Sequence, residues 1–529
     1  MRNTIILLVL FIGFYSCDDY LDRDPLDKIA ETSIFQDESL CQAYLYNVYS
    51  KLNHPLGYYY MTDNCTDNGR TKSGWISSQK VVVPGLMSAT NIPGEMGSWK
   101  NSYKAIRLAN DFIEKLEASK LDADFKQLKL AEARWLRAEF YFELVKRFGD
   151  VPLIKVAQKS GDDLAVSRTP AADVWKFIDE ELDAIDEILP LKADSKNGLA
   201  TREACWALGS RAMLYAKNWS KCIDYSKRII SGGAFQLNAD YGALFASYGG
   251  DKEVIFEILF DGPANKGHHF DLYNLPFSYR ADWGSQTNPT QELVDAYCMA
   301  NGKAINEAGS GYDANNPYVG REPRFYATIL YHGAKFKGKV MNTISPDGED
   351  AINKTGLHSI TGYYIKKYCD EKLPFGPLKN DSKISWKMFR LAEIYLNLAE
   401  AENEANGPNE TVLNSLKAIR DRVNLPNVSA SLSKDEMRTA IRKERRVELA
   451  FEDQRWWDLI RWGKSIEVLN DKYFHGVMVT RNDDGTLNYN LNHVVSNRPK
   501  QVFLEKHYLM PIPHGEREKN PNLTQNSGY

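Results

Sequence analysis

Two segments far apart in this chain space their apolar residues at alternating intervals of three and four. The first set is Leu128, Ala131, Trp135, Ala138, Phe142 and Val145, and the second is Leu391, Ile394, Leu398, Ala401 and Ala405. This spacing places each set on one face of an α-helix, and a helix with one apolar face must bury that face against a partner. The pattern therefore predicts a mainly helical fold in which amphipathic helices pack on one another.

Further helices are predicted where similar patterns end at Gly or Pro. They cover residues 39–51, 170–189, 201–217, 220–230, 386–406, 409–423 and 434 to about 462. A weak internal repeat is visible in Arg211–Tyr215 and Arg390–Tyr395. Each belongs to the first arm of a helical hairpin of about 34 residues, the size of a tetratricopeptide unit. Generic amphipathic hairpins would give the same pattern, so that alternative stays open. Hairpins of either kind must stack, and we expect residues 100–231 to pack on residues 386–462 as one scaffold.

The regions between the helices have a different composition. Residues 53–98 and 232–385 are rich in Gly, Asn, Asp, Ser and Tyr, with strand-like pieces at 254–260 and 363–368. Long loops of this kind are often functional. The predicted organisation is an N-terminal region at 38–231 (loop-rich at 53–98, helical at 99–231), a loop-rich insertion at 232–385, and a C-terminal helical region at 386–529 that ends in a polar, turn-rich tail.

The first residues resemble an export signal. A positive start and an apolar run from Ile5 to Phe14 end at Ser16-Cys17, and about ten residues are too few for a helix to span a bilayer. We expect a signal peptide at 1–16, lipidation of Cys17, and an acidic tether at 17–37. An ordinary secretory signal followed by a chance cysteine is the alternative. No other stretch is long and apolar enough to predict a membrane span.

Charge and cysteine content exclude several classes of function. The formal net charge is −4, which gives no basic field to attract nucleic acid. The six cysteines after Cys17 match no zinc spacing, and no cofactor or metal is predicted. Most of these cysteines are expected to be buried apolar residues, and a disulfide stays possible without the sequence indicating its pair.

Four groups of motifs, in this order, resemble the SusD/RagB family and together extend over nearly the whole chain. They are CDDYL at 17–21; EARWLRAEFYFELVKRFGDVPL at 132–153; RLAEIYL at 390–396 with IRKERRVELAFE at 441–452 and RWWDL at 455–459; and YLMPIP at 508–513 with NPNL at 520–523. The resemblance implies a tetratricopeptide-like scaffold with a loop-rich, mixed ligand-binding lobe. Arg442, Glu444, Arg445, Arg446 and Glu448 are interpreted as a salt-bridged face of that scaffold and not as catalytic groups.

The resemblance also implies a function. Such proteins are lipid-anchored in the outer membrane, facing the exterior, where they bind a glycan and deliver it to a SusC-like TonB-dependent transporter. A peptide as cargo is the alternative within the family. From other classes, a glycoside hydrolase and a scaffold for envelope assembly without a nutrient ligand are the alternatives.

Candidate ligand residues were chosen by chemistry, because aromatic rings bury the apolar faces of sugars while Asp, Asn and Arg bind hydroxyls. Two loop segments combine these types. The candidates are Tyr59, Asp67, Asn68, Arg70 and Trp75 in the first segment, and Tyr279, Arg280 and Trp283 in the second.

No catalytic motif accompanies these candidates. His268-His269 with Asp271 is the only adjacent histidine pair, and it lacks the helical i, i+4 spacing of a zinc site. We find no GxSxG and no phosphate-binding GxxxxGK motif. The sequence therefore predicts binding without catalysis.

Overall fold

The fold comes from a computed structural model. It describes residues 31–57, 61–72, 77–94, 96–260, 267–279, 283–373, 382–495 and 499–529. Helix outweighs strand by 44% to 10%, which confirms the predicted mainly helical class. The helices are α1 Glu31–Ile34, α2 Glu38–Tyr49, α3 Ser77–Val81, α4 Trp99–Ala118, α5 Ala123–Phe148, α6 Ala171–Asp183, α7 Arg202–Tyr215, α8 Trp219–Gly232, α9 Tyr241–Phe245, α10 Phe270–Asn274, α11 Gln291–Ala296, α12 Pro323–Thr328, α13 Leu391–Asn406, α14 Glu410–Arg422, α15 Lys434–Glu448, α16 Arg455–Arg461, α17 Ser465–Leu469 and α18 His514–Lys519.

The long helices pack on one another in sequence order. From α4 to α8 each helix packs on the next, α8 packs on α13, and α13 packs on both α14 and α15. Side chains cap many of these helices. Asp122 accepts hydrogen bonds from the first turn of α5, and Ser433 forms a capping box with Glu436 at the start of α15. Gly149 ends α5 with a φ of 69°, a conformation that a side chain disfavours.

The two helical regions form one scaffold, as the sequence predicted. Arg211 of α7 forms an ion pair with Glu393 of α13 at 2.7 Å. Asn397 Nδ2 of α13 donates to Ser210 Oγ at 3.1 Å. All four side chains are buried, so residues more than 170 positions apart in the sequence share one interior.

Two predicted helices differ in the structure. Residues 386–390 form a strand, and the helix begins at Leu391. All five strand residues are buried, Lys387 and Arg390 among them, so the segment lacks the regular alternation of apolar and polar residues that predicts a half-buried strand. The predicted helix at 434–462 is two helices, α15 and α16, because Phe451 and Asp453 adopt left-handed backbone conformations between them.

The strands are short and pair locally around the helices. They are β1 Gly69–Arg70, β2 Val254–Ile258, β3 Asn288–Pro289, β4 Ile329–Leu330, β5 Lys335–Phe336, β6 Lys339–Val340, β7 Tyr364–Ile365, β8 Trp386–Arg390, β9 His475–Arg481 and β10 Leu487–Val494. The antiparallel pairs are β1 with β3, β2 with β8, β4 with β7, β5 with β6, and β9 with β10. The β9–β10 hairpin lies in the tail that was predicted to be turn-rich. The division of the chain at residues 231 and 385 stays a prediction.

Four residues of the predicted salt-bridged face on α15 form ion pairs with other elements, and these are Glu444, Arg445, Arg446 and Glu448. Glu448 binds Arg390 of β8 at 2.8 Å and Arg422 of α14 at 2.5 Å. Glu444 binds Arg324 of α12 at 2.6 Å. These charges are buried, so the face joins α15 to the insertion and to α14.

The six cysteines after Cys17 are free thiols, five of them buried and Cys298 partly exposed. Among the helices of the described residues, none combines the length and apolar character needed to cross a bilayer.

Candidate functional site

Four of the nine predicted functional residues lie outside the described residues, and four of the remaining five are buried inside the protein. Tyr59, Trp75, Arg280 and the predicted lipidation site Cys17 fall outside the described ranges. Their roles stay predictions. The other five candidates can be placed.

Asp67 and Asn68 lie beneath α15 and α16 and are buried. Asp67 binds Arg446 at 2.9 Å and Arg455 at 2.8 Å. Burial opposes ionisation of Asp67, but the two guanidinium groups outweigh it and hold the pKa of Asp67 well below its usual range. Asn68 Oδ1 accepts from Arg446 Nε at 2.8 Å. These contacts fasten the 62–70 segment to the scaffold.

Arg70 is also buried. Its guanidinium carbon lies 3.9 Å from the centre of the Phe474 ring, and its Nη2 donates to Gln501 Oε1 at 2.6 Å. Asp67, Asn68 and Arg70 therefore have little exposed surface to offer a ligand. Their polar groups already have partners inside the protein, and the predicted ligand contact gains no support from this arrangement.

Tyr279 is an internal anchor. It is 3% exposed, its hydroxyl donates to the Phe336 carbonyl at 2.8 Å, and its ring meets the Phe336 ring edge-to-face at 5.3 Å. The neighbouring Ser278 donates to Asp350 through its backbone N–H at 2.9 Å and its hydroxyl at 2.6 Å. Tyr279 thus holds the 3-10 helix Phe277–Tyr279 in place, and its predicted ligand contact gains no support from this position.

Trp283 is the candidate that the structure presents to solvent, with 54% of its surface exposed. Its φ of 56° is rare for a bulky residue. The following turn is fixed by two backbone hydrogen bonds, from Ser285 N to Leu275 O at 3.1 Å and from Gln286 N to Tyr273 O at 2.7 Å. A Cβ on Gly284 would lie 2.3 Å from the Leu275 carbonyl oxygen, so only glycine fits there. A fixed turn thus displays a large aromatic side chain.

Trp283 continues a row of rings on α10. Its ring centre lies 6.4 Å from that of Tyr273 in an edge-to-face arrangement, and Tyr273 lies 5.8 Å from His269 in the same way. His269 and Tyr273 are both partly exposed. Burial lowers the pKa of His269, which favours its neutral form. We name His269, Tyr273 and Trp283 the aromatic row.

Sequence reasoning missed two members of the aromatic row. His269 was considered only as half of a metal-binding pair, and Tyr273 was not considered. The sequence signal that could have identified them is their separation of four residues at the start of a short helix, since residues so spaced share a helix face.

The neighbouring His268 faces the interior and does not join His269. Its Nε2 lies 3.0 Å from the Ile384 carbonyl oxygen. Burial raises the pKa of Asp271 to about 6, and one carboxyl oxygen of Asp271 accepts from the Asp370 N–H at 2.7 Å. Within the described ranges, no three His, Cys, Asp or Glu residues are grouped as a metal site requires.

The aromatic row suits a ligand with both apolar and polar surface. Ring faces bury apolar C–H groups, while a neutral imidazole and a phenol hydroxyl each donate and accept hydrogen bonds. Because the row carries no formal charge, it favours a neutral ligand over a strongly charged one.

Comparison with known proteins places the chain in a family. A sequence model described as the SusD family matches residues 252–529. A second, described as starch-binding and associating with the outer membrane, matches residues 19–214.

Individual relatives match along nearly the whole chain. SusD-like protein P25 of Formosa agariphila is 24% identical over 100% of this chain and 99% of that protein. A SusD-like protein of Bacteroides fragilis has a crystal structure with a TM-score of 0.81 and 30% identity, covering 96% of this chain and 100% of that one. A SusD-like carbohydrate-binding protein of the same species has a TM-score of 0.81 and 26% identity, covering 93% of this chain and 100% of that one. Since the SusD-family model spans more than half of the 529 residues, this protein belongs to the SusD family.

Proposed function

We propose that this protein binds a glycan through the aromatic row at the surface of the outer membrane and passes it to a SusC-like TonB-dependent transporter. A lipid on Cys17 would anchor it there, facing the exterior. Binding occurs without cleavage of the glycan. The role of the protein is then capture, and the chemistry of degradation belongs to other proteins.

The observation that carries the proposal is the exposure of Trp283 on a fixed turn. A tryptophan that is 54% exposed gives up the free energy of burying a large apolar surface. Its left-handed backbone adds a further cost. A ligand that covers the indole would recover the free energy of burial that the free protein lacks. A sugar face stacked on the ring would bury it in this way.

Known relatives support a glycan as the cargo. The model matching residues 19–214 is described as starch-binding, and one solved relative is described as carbohydrate-binding. A neutral row of aromatic and hydrogen-bonding groups agrees with that ligand class.

Affinity electrophoresis tests the binding. Purified protein is run through gels containing each of a panel of neutral polysaccharides, and we expect at least one to retard it. Trp283→Ala should remove most of the retardation, because it removes a stacking surface. Tyr46→Ala is the matched control, since Tyr46 is similarly exposed at 47% but lies on α2. Equal retardation of wild type and Trp283→Ala would contradict the proposed site.

The same samples distinguish capture from cleavage. Each polysaccharide that retards the protein is incubated with it, and new reducing ends are measured over time. We expect none above the rate of a boiled sample. A steady release would make the protein a hydrolase.

The anchor and the transporter need cellular experiments. Labelled palmitate should enter the wild-type chain in its native host but not Cys17→Ala, which should appear in the soluble fraction. Detergent extraction with a tagged wild-type chain should recover an outer-membrane barrel of the TonB-dependent class. Equal labelling of wild type and Cys17→Ala would contradict the anchor.

A further inference from the structure

A pocket lies on the helical scaffold, and no residue of the aromatic row lines it. It has a volume of about 430 Å³ and is formed where the end of α2, the loop before α4, and the helices α4 and α5 meet. The ring of His54, on its wall, meets Phe260 at 4.9 Å, and Phe260 meets His268 at 4.8 Å. These ring contacts connect the pocket wall to His268, the sequence neighbour of His269.

Glu139 of α5 lines this pocket and lacks a partner. It is 3% exposed. Within the described part of the chain, its Oε2 is buried without a hydrogen bond, and no ion pair engages the carboxyl group. Buried carboxyl groups nearly always have partners, so an unpartnered one requires an explanation.

Other buried carboxylates on the same helix show the usual arrangement. Glu132 binds Lys129 at 2.6 Å and accepts from the Tyr49 hydroxyl at 2.8 Å. Glu143, one turn beyond Glu139, pairs with both Lys146 and Arg147. The helix therefore supplies partners for its other buried acids and leaves Glu139 facing the pocket without one.

The remaining walls offer neutral polar groups beside an apolar one. Asn53 and Asn101 are exposed at the rim, Ser98 and Ser102 lie further in, and Phe140 contributes an apolar ring. Lys51 and Lys104 also line the pocket and disfavour a cationic ligand. Glu143, which also lines the pocket and stays ionised, disfavours an anionic one. Amides, hydroxyls and one ring suit a neutral molecule that carries several hydroxyl groups.

The protonation of Glu139 agrees with such a ligand. Burial, together with the negative charge of Glu143, raises the pKa of Glu139 to about 8. At neutral pH the carboxyl is then mostly protonated, with one O–H donor and a carbonyl acceptor side by side. Adjacent hydroxyls of a sugar ring can satisfy both.

We propose that this pocket binds a single neutral sugar residue, with Glu139 hydrogen-bonded to its hydroxyls, as a second subsite separate from the aromatic row. The proposal rests on the proposed glycan-binding function for its ligand class. The subsite would hold one residue or branch of a glycan while the aromatic row holds another part of the ligand.

The test uses saturation-transfer NMR on the full-length protein with D-glucose, D-galactose, D-mannose and D-xylose as probes. Trp283→Ala is the starting protein, because it disables the aromatic row. We expect at least one monosaccharide to bind it, with signal that saturates on titration. Adding Glu139→Leu should weaken that binding at least tenfold.

A second variant guards against misfolding of Glu139→Leu. Asn53→Ala with Asn101→Ala changes only exposed rim residues, and it should also weaken binding at least tenfold on the Trp283→Ala background. Asn47→Ala is the matched control, because Asn47 is an exposed α2 residue that does not line the pocket. It should bind as the starting protein does.

The outcomes separate this proposal from the proposed function. Absence of monosaccharide binding to Trp283→Ala overturns the subsite, as does binding that the rim variant leaves unchanged. Retardation of wild type by polysaccharide without any monosaccharide signal would reject the subsite and leave glycan capture standing. Monosaccharide binding that depends on Glu139 without any retardation by polysaccharide would support the subsite and reject capture through the aromatic row.

Discussion

Arg390, at the centre of the helical scaffold, is 1% exposed and bound by Glu253, Glu448 and Glu452 at 2.7–2.8 Å, whereas Trp283 on its turn is 54% exposed. Hydrophobicity alone would assign these residues the opposite positions, since arginine is usually outside and a large aromatic usually inside. The scaffold can bury a charge because it supplies three carboxylates at once. The turn can expose a ring because backbone hydrogen bonds, and not burial of the ring, hold it in place. Charge here organises the fold, and an aromatic surface stays exposed to solvent.

The largest expected effect comes from breaking the charge network. Arg390→Ala should lower the free energy of unfolding by about 3–5 kcal/mol, because it removes the cation shared by three buried carboxylates and leaves an excess of negative charge among them. Urea denaturation monitored by circular dichroism measures it. A loss below about 1 kcal/mol would show that Arg422 and Lys367, which also bind these carboxylates, compensate for the missing charge.

Tyr279→Ala sharpens the comparison within the loop-rich region that also contains Trp283. It removes a buried ring and the hydrogen bond to the Phe336 carbonyl, so we expect a loss of about 3 kcal/mol, as for other large aromatic deletions. The same denaturation experiment applies. A surface-like effect, below about 0.5 kcal/mol, would contradict the role of Tyr279 as an anchor.

Acid should weaken the scaffold through Glu400. Burial would raise the pKa of Glu400, but attraction to Arg461 outweighs it and lowers the pKa from 4.5 to about 2. The resulting stability is fully present above about pH 4.5 and is lost as pH falls toward 2. Linkage gives a loss of about 2 kcal/mol between pH 6 and pH 3.

Glu400→Gln isolates that contribution, because glutamine cannot titrate. Denaturation at pH 6 and pH 3 should show a fall in stability that is about 2 kcal/mol smaller in this variant than in wild type. The same fall in both proteins would mean that other carboxylates cause the acid sensitivity.

The smallest expected effect is on the stability of Trp283→Ala. An exposed ring with one edge-to-face contact, to Tyr273, should contribute less than about 1 kcal/mol. Thermal and urea denaturation of the variant should therefore resemble wild type even where glycan binding is lost. A loss of about 3 kcal/mol or more would place Trp283 with the core residues and remove the basis for the aromatic row.

The helices were the most predictable part of the fold. The alternating spacing of three and four between apolar residues predicted α5 and α13. Because each apolar face needs a partner, the same pattern predicted that the two helices belong to one scaffold. The strand at Trp386–Arg390 was missed because its residues are buried on both faces and show no period-two pattern. The break before α16 was missed because left-handed Phe451 and Asp453 carry no glycine signal.

The candidate site was predicted less completely. The segment around Trp283 was selected because aromatic and polar residues combine there, but its composition could not separate the exposed Trp283 from the buried Tyr279. The partner that buries Tyr279, Phe336, lies 57 residues further along the chain. Asp67 and Arg70 were interpreted as loop residues because their partners are distant in sequence. Arg455 binds Asp67 from 388 residues away, and Gln501 binds Arg70 from 431 residues away.

The sequence by itself determined the helical character of this protein and its family. Both depend on the local spacing of residues and on the order of motifs along the chain. The tertiary structure alone decided which aromatic residues face solvent and which acids have partners. Glu139 and Glu143 are one helical turn apart and chemically identical, yet among the described residues one carboxyl forms ion pairs with two cations and the other forms no ion pair. Burial and pairing depend on atoms brought together from distant parts of the chain. The local sequence does not show which of those atoms become neighbours in space.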